Sequence, residues 1–495
     1  MEGSGQDRSV SPAGAGPKSS GGHAETCPPY RTARALRMEA GSAPAGDPGA
    51  WPAFFDFLAA PHGQATARVD SIYLEAAEGC SEAVLRSFLA AAHARGLKVE
   101  FLYRDEDWQA DHLAGAKAVC DRYIEAFNPG GPAAERFDGI HLALEDAGHW
   151  SQRAFQGLVL YLRQKIESYN SKGEHGMTLA ADLDFSWRER GEDRSPQFSH
   201  AVAQCDYVVS LAYRDTAGAQ VSCAVPQALA AARQRKGFCI GAETRRLIDQ
   251  DFATYYEEGW EYMEQELAKL PALLAASGGA LSGIALREYE CYRKLRREPL
   301  VSPFPDVRVD AWAFPYILAA HQAGIIGGYL DGSFLPTRLV TRADMAVFAS
   351  HVLAGAGQVP EGPAPASFPD VPTTHWVYKY VECAKANHVI TGDRDGQFRP
   401  EAVVNRAELA VYIARAVVRP PGEAGLAGFS PPAQPTFPDV TADGPWSWCY
   451  KHVEYLAAQV VVSGYPDGRY HPEDPCPREQ MAVYLAKALR LPVEV

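Results

Sequence analysis

The chain is poor in the features that would mark a metalloprotein, a nucleic-acid binder or a membrane protein. Its ten cysteines are scattered over 495 residues, with no Cys-x-x-Cys pair and no Cys/His cluster at ligand spacing. They read as small apolar residues rather than as a zinc site or a disulfide framework. No stretch approaches the roughly 20 consecutive apolar residues of a membrane span. With 47 Lys and Arg against 61 Asp and Glu, the net charge is −14, which excludes the basic surface that bulk phosphate binding needs. No glycine-rich phosphate loop follows the first extended run, and no charged segment followed by an apolar one opens the chain as a secretory signal would. Residues 1–29 are rich in Gly, Ser and Pro and are expected to be disordered. No cofactor, no metal, no nucleic acid and no membrane insertion is expected.

What is present is ordinary globular material, 47% hydrophobic and 22% charged, long enough for about three domain-sized units. Extended apolar runs cover 31–39, 69–75, 98–103, 137–145, 177–185, 207–215, 236–243 and 281–288. Helical patterns fill the intervals at 51–58, 81–95, 109–127, 150–169, 224–234 and 255–269, with a short helix before Tyr207. Ser81 is a fitting N-cap and Gly96 a fitting C-cap for the second of these. Strand and helix alternate eight times, the rhythm of an α/β (β/α)8 TIM-like barrel, with a doubly wound open sheet as the alternative.

A barrel of this kind works at the C-terminal ends of its strands. The polar residues there are Glu39, Glu75, Asp105, Glu145, Asp182 with Asp184, Tyr213 with Asp215, Glu243, and Glu288 with Tyr289. Trp108, Trp150 and Trp187 lie on the adjoining loops. Aromatic faces stack on sugar rings and carboxylates do acid and base work, so the combination suits a carbohydrate cleft. Strand-end acids also arise as helix caps and ion-pair partners.

The last third is organised by recurrence. Phe304-Pro305-Asp306-Val307 returns as Phe368-Pro369-Asp370-Val371 and as Phe437-Pro438-Asp439-Val440. Each is followed by a Trp (312, 376, 448), an Asp-Gly loop opened by Asp331, Asp395 or Asp467, and, six residues after the loop's final Pro, an Arg (342, 406, 478). Fixed order at a near-fixed period marks a repeated structural unit. Thr341 and Asn405 suit N-caps of the helix each Arg begins, and Pro477 a first-turn position. An Arg beside free helix N–H groups would suit a carboxylate.

These motifs resemble the S-layer homology family over roughly residues 300 to 490. The resemblance implies three mainly helical repeats forming a pseudo-threefold module. It also implies non-covalent anchoring to a secondary cell-wall polysaccharide, pyruvylated sugars included, at the surface of a bacterial cell wall. The implied ligand residues are Arg342, Arg406 and Arg478, Trp312, Trp376 and Trp448, and Asp306, Asp370 and Asp439. The third unit departs from the family's Thr-Arg-Ala-Glu pattern at Pro477, Glu479 and Gln480.

Asp138-Gly139-Ile140-His141-Leu142-Ala143-Leu144-Glu145 is similar to the chitinase-type glycoside hydrolase motif Asp-Gly-x-Asp-x-Asp-x-Glu, and Tyr213-Arg214-Asp215 to that family's Met-x-Tyr-Asp segment. The resemblance implies Glu145 as general acid, with Asp138, Tyr213 and Asp215 around it. His141 and Ala143 replace two of the motif's aspartates, which speaks against substrate-assisted hydrolysis. A second scheme pairs Glu145 as acid/base with Glu243 as nucleophile, about 5 to 5.5 Å apart. Whether the barrel is an enzyme stays open between hydrolysis of a glycan and a degenerate, non-catalytic barrel on a structural or adhesive surface protein. The expected units are 1–29 (tail), 30–298 (barrel), and 299–360, 361–430 and 431–495 (repeats).

Overall fold

The computed structural model describes residues 33–38, 44–75, 80–104, 112–143, 152–173, 176–184, 195–355 and 357–493. Eight strands, β1 (Ala33–Met38), β2 (Ser71–Leu74), β3 (Lys98–Arg104), β4 (Gly139–Ala143), β5 (Thr178–Leu183), β6 (Tyr207–Ser210), β7 (Gly237–Glu243) and β8 (Gly283–Arg287), form a closed parallel barrel in sequence order. Closure is made by β1 on β8, with Ala33 opposite Gly283 and Leu36 opposite Leu286. The helices around it are α1 (Trp51–Ala59), α2 (Glu82–His93), α3 (His112–Asp121), α4 (Gln152–Asn170), α5 (Ser195–Gln204), α6 (Ala217–Arg233), α7 (Gly259–Leu267), α8 (Leu270–Ala276) and α9 (Tyr289–Lys294).

Alternate residues of a strand face opposite ways. Outward residues such as Leu36, Ile72, Val99, Ile140 and Val208 join Phe54, Phe88 and Leu162 in the layer beneath the helices. Inward residues include Ala35, Tyr73, Leu102, Ala143, Val209 and Cys239, which plug the barrel's centre. Ser81 caps α2 by accepting the Val84 N–H at 3.3 Å, and Gly96 takes φ 74° beyond its end. The helix expected to begin at 224 begins at Ala217 instead and carries Pro226 inside.

After α9 come three helix pairs: α10 (Phe314–Gln322) with α11 (Arg342–Ala354), α12 (Tyr378–Ala386) with α13 (Arg406–Val417), and α14 (Ser447–Ala458) with α15 (Arg478–Ala488). Inside each unit the opening Phe lies on the aromatic ring of the Asp-Gly loop. The Phe304–Phe334, Phe368–Phe398 and Phe437–Tyr470 centroids are 5.2, 5.5 and 5.3 Å apart. Gly392 makes room for this, since a Cβ there would lie 2.4 Å from the Phe368 ring. The opening Asp then clamps two loop N–H groups: Asp306 those of Phe334 and Leu335, Asp370 those of Phe398 and Arg399, Asp439 those of Tyr470 and His471. Leu335, Arg399 and His471 take φ of 55°, 55° and 54°, a left-handed conformation that the clamp holds in place.

The units close on one another. Val340 N–H donates to Cys476 O, Cys476 N–H to Val404 O and Val404 N–H to Val340 O, at 2.9, 3.2 and 2.9 Å. The result is a ring of backbone hydrogen bonds about the pseudo-threefold axis. α11 packs on α12, α13 on α14 and α15 on α10. Each arginine bridges to the next unit. Arg342 donates to Phe398 O, Thr391 O and Tyr412 Oη at 2.6, 2.9 and 2.7 Å. Arg406 donates likewise to Tyr470 O, Ser463 O and Tyr484 Oη. Arg478 donates to Phe334 O and Gly327 O of the first unit. Phe348 stands where the other seams have a tyrosine, and Asp344 Oδ1 lies 3.6 Å from Arg478 Nη1 in compensation.

A hydrogen bond to a charged group contributes about 1.5–3 kcal/mol. Arg406→Ala strands two carbonyls and a hydroxyl, and is expected to destabilise the repeat module by about 3 kcal/mol or more. Urea unfolding followed by tryptophan fluorescence measures it. A loss under about 1 kcal/mol, a surface-like value, would show that the guanidinium does not hold the seam.

Candidate functional site

Two places gather polar side chains: the barrel's interior and mouth, and the seams between repeats. Period-two alternation turns Arg37, Glu100, His141 and Asp182 into the barrel, where they are 4%, 5%, 0% and 4% exposed. His141 Nε2 lies 2.7 Å from Asp182 Oδ1, and its Nδ1 lies 3.5 Å from Glu100 Oε2. Arg37 Nη1 is 3.7 Å from Asp182 Oδ2. Thr178 and Tyr207 donate their hydroxyls to Glu100, and the Tyr73 ring stacks on the imidazole at 4.0 Å. Burial by itself would strip the proton from His141. The carboxylates of Asp182 and Glu100 outweigh it and hold the pKa up at about 9. Two cations thus balance two anions in the interior.

At the C-terminal end of β7, Glu243 is 2% exposed. Its carboxylate accepts the N–H groups of Thr244 and Arg245 at 2.9 and 2.8 Å and the Arg245 Nη2–H at 3.0 Å. Arg287 Nε lies 3.6 Å away, and Arg287 also donates to Tyr213 Oη at 3.4 Å. The space enclosed by Arg37, Tyr73, Asp182, Tyr213 and Arg287 among the described residues is about 10 Å³, the size of one water. Glu75 pairs with Arg104 at 3.3 Å, and Glu288 accepts from Cys291 Sγ at 3.1 Å.

The expected catalytic residues do not assemble as one group among the described residues. Asp138 precedes β4 and so sits at the barrel's base. There its carboxylate accepts the Val99 N–H at 2.7 Å and meets His93 Nε2 at 2.9 Å, tying α2 to the floor. That is a correction to its place beside a general acid, because the motif's first residue starts the strand and the mouth lies at the strand's far end. Asp215 lies on the loop before α6, its carboxyl pushed up by burial and by the charges of Asp251 and Glu266. Ala143 faces the interior, fully buried. Glu145 falls outside the described residues, as do Glu39, Asp105, Trp108, Trp150 and Trp187. Acids and aromatics were the residues singled out in the sequence, and Arg37, Arg104, Arg245 and Arg287 were not. The signal was available for Arg37 and Arg287, which share an inward strand face with small or polar neighbours.

At the seams, Trp312, Trp376 and Trp448 are 41%, 62% and 50% exposed, each at the head of a helix that packs on a neighbouring unit. The residue after each (Ala313, Val377, Cys449) is fully buried. The seam arginines are 7%, 1% and 3% exposed. The expectation of free helix N–H groups beside them fails. Arg342 N–H donates to Ala402 O, Arg406 N–H to Asp474 O and Arg478 N–H to Arg338 O, all at 2.9 Å. The neighbouring unit's turn is the cap. Thr341 and Asn405 make full capping boxes with Asp344 and Glu408, while Pro477 occupies the N-cap rather than the first turn.

A closed ring of three equivalent helix pairs, each with a half-exposed indole at the head of one helix and a buried arginine in the seam, defines a pseudo-threefold repeat module joined to an α/β barrel. The chain carries three S-layer homology domains, whose family model matches residues 303–346, 367–410 and 436–482. Such domains are cell-wall attachment modules. A cellulosome-anchoring protein of Acetivibrio thermocellus is 32% identical over 168 residues, 33% of this chain and 33% of that protein. An endoglucanase of a Bacillus sp. is 27% identical over 187 residues, 38% of this chain and 19% of that protein. The chain therefore spans a third or less of the length of these relatives. A GH18 chitinase from Pseudoalteromonas aurantia aligns over 52% of this chain and 94% of its own at 10% identity and a TM-score of 0.36, too low to add to the architecture read from strand pairing.

The interior quartet predicts a pH effect. His141 has a folded pKa of about 9 against about 6.5 unfolded. Its stabilisation is therefore complete below about pH 6.5 and lost as pH rises through 9. The barrel's denaturation midpoint should fall between neutral and alkaline pH in the parent. His141→Leu should cost about 3–5 kcal/mol at neutral pH by leaving an acid uncompensated, and should flatten that dependence. A parent whose midpoint does not move over this range would remove the imidazolium from the account.

Proposed function

We propose that this protein is held non-covalently on a secondary cell-wall polysaccharide through the three seams of its repeat module. In this reading 299–360, 361–430 and 431–495 are the wall-binding units and 30–298 is the barrel they carry at the cell surface. The observation that carries the proposal is the triple recurrence of one arrangement, a half-exposed Trp at the head of a helix that packs across a seam. Indole faces stack on the apolar faces of sugar rings. Arg342, Arg406 and Arg478 lend positive potential to the seams and hold the Asp-Gly loops, while Asp306, Asp370 and Asp439 fix those loops from within. An acidic sugar, a pyruvylated one included, matches that polarity. The name of the cellulosome-anchoring relative is in keeping with this role.

The barrel engages a glycan without substrate-assisted hydrolysis. Ala143 presents a methyl where that chemistry needs a carboxylate to stabilise a charged oxazolinium. Attack by Glu243 would first require Arg245 and Arg287 to release its carboxylate. Glu145 is the remaining acid for a hydrolytic role, and its substitution decides between the readings.

Purified cell-wall sacculi should retain the intact protein, and sacculi stripped of their secondary polysaccharide should not. Trp312→Ala, Trp376→Ala and Trp448→Ala combined should cut retention at least about tenfold, roughly 1.4 kcal/mol. Undiminished retention would overturn the seam assignment. No reducing ends should appear from peptidoglycan or chitin-like oligomers. Release that disappears in Glu145→Gln would replace the binding barrel with a hydrolase.

A further inference from the structure

The third repeat differs from its siblings in one turn that neither its fold nor its seam requires. Where the first repeat has Leu335, Thr337 and Arg338, and the second Arg399, Glu401 and Ala402, the third has His471, Glu473 and Asp474. The backbone is the same in all three, with φ near 55° at the first position and the same clamp from the opening Asp. A leucine and an arginine satisfy that backbone equally well, the arginine pairing with Asp395 as the imidazole pairs with Asp467, so the backbone itself does not require a histidine.

One ligand atom each from His471, Glu473 and Asp474 lies within 4.8 Å of the others, the one such trio among the described residues. Metal–ligand bonds of about 2.0–2.2 Å put the donors of a single ion about 3–4 Å apart. His471 and Asp474 are half-buried and Glu473 is exposed, so the side chains are free to close on an ion. Outside the trio, Asp467 Oδ2 lies 2.7 Å from His471 Nε2. That carboxylate keeps the proton on Nε2 and leaves the Nδ1 lone pair for an ion, the outer-shell arrangement typical of metal-ligating histidines.

We propose that His471, Glu473 and Asp474 bind a divalent transition-metal ion of the zinc class, with Asp467 orienting the imidazole. One nitrogen and two carboxylate oxygens suit zinc, whereas calcium and magnesium favour all-oxygen sets. Three protein ligands leave coordination positions open to water or to an oxygen of a bound sugar. The turn that would hold the ion also caps α13, since Pro472 O accepts the Ala407 N–H and Asp474 O the Arg406 N–H. Tyr470 O, one residue before His471, accepts from the Arg406 side chain. An ion here would brace the seam between the second and third repeats, and that seam alone.

The test uses the full chain, stripped with a chelator and titrated with zinc chloride by calorimetry, with thermal melting alongside. One zinc ion per chain should bind saturably at micromolar concentration and raise the melting temperature of the repeat module. His471→Leu, which installs the first repeat's own residue, should abolish that event. Glu473→Gln should weaken it, and Asp467→Asn should weaken it about 10- to 100-fold. Magnesium and calcium should give no comparable binding. Absence of saturable zinc binding, unchanged binding in His471→Leu, or calcium binding as tight as zinc would each overturn the proposal. Because sacculus retention and zinc titration are separate measurements, failure of one leaves the other standing.

Discussion

A guanidinium taken out of water without partners is strongly unfavourable, and the repeat module buries three. It can do so because each is handed to the next repeat, where the carbonyls of an Asp-Gly loop and, at two of the seams, a tyrosine hydroxyl accept its protons. No single repeat can supply those acceptors to its own arginine. Closure of the ring is therefore a condition of burying the charges, and the ring holds the indoles of Trp312, Trp376 and Trp448 at fixed places along its rim. The placing of the exposed indoles thus follows from an electrostatic requirement met inside the ring.

The barrel obeys the same constraint at its centre. Arg37 and His141 are set against Glu100 and Asp182, and Arg287 and Arg245 against Glu243. Glu243 ends β7, at the face where a barrel carries its reactive acids, yet its carboxylate is occupied by a guanidinium and by N–H groups. An active pair of carboxylates needs one group free to attack and one able to hold a proton. The interior is arranged for charge neutrality, and the observed packing leaves space for little more than a water.

Much of the architecture was legible in the amino acids. Strand runs such as 98–103 and 236–243 fall within a residue or so of β3 and β7, since buried parallel strands are continuous apolar stretches with sharp polar ends. The repeats were legible because their turn chemistry recurs, Asp-Gly and Phe-Pro-Asp being local demands of the backbone. Side-chain roles were less legible. Asp138 looked catalytic from a motif, and only the strand's direction shows that it lies at the base. The arginines of the repeats read as ligand groups, and their burial was not legible because their partners are mostly main-chain carbonyls, which every residue possesses and no sequence singles out.

The amino-acid sequence by itself determined the eightfold alternation, the three homologous units and the positions of their tryptophans. These rest on local periodicity and on turn residues, whose effects reach only a few positions along the chain. Only the tertiary structure decided which carboxylates are neutralised, which helix termini are already capped and which repeat supplies the cap. Each of those depends on groups that lie far apart in sequence, as Phe334 and Arg478 do, and meet only once the ring has closed.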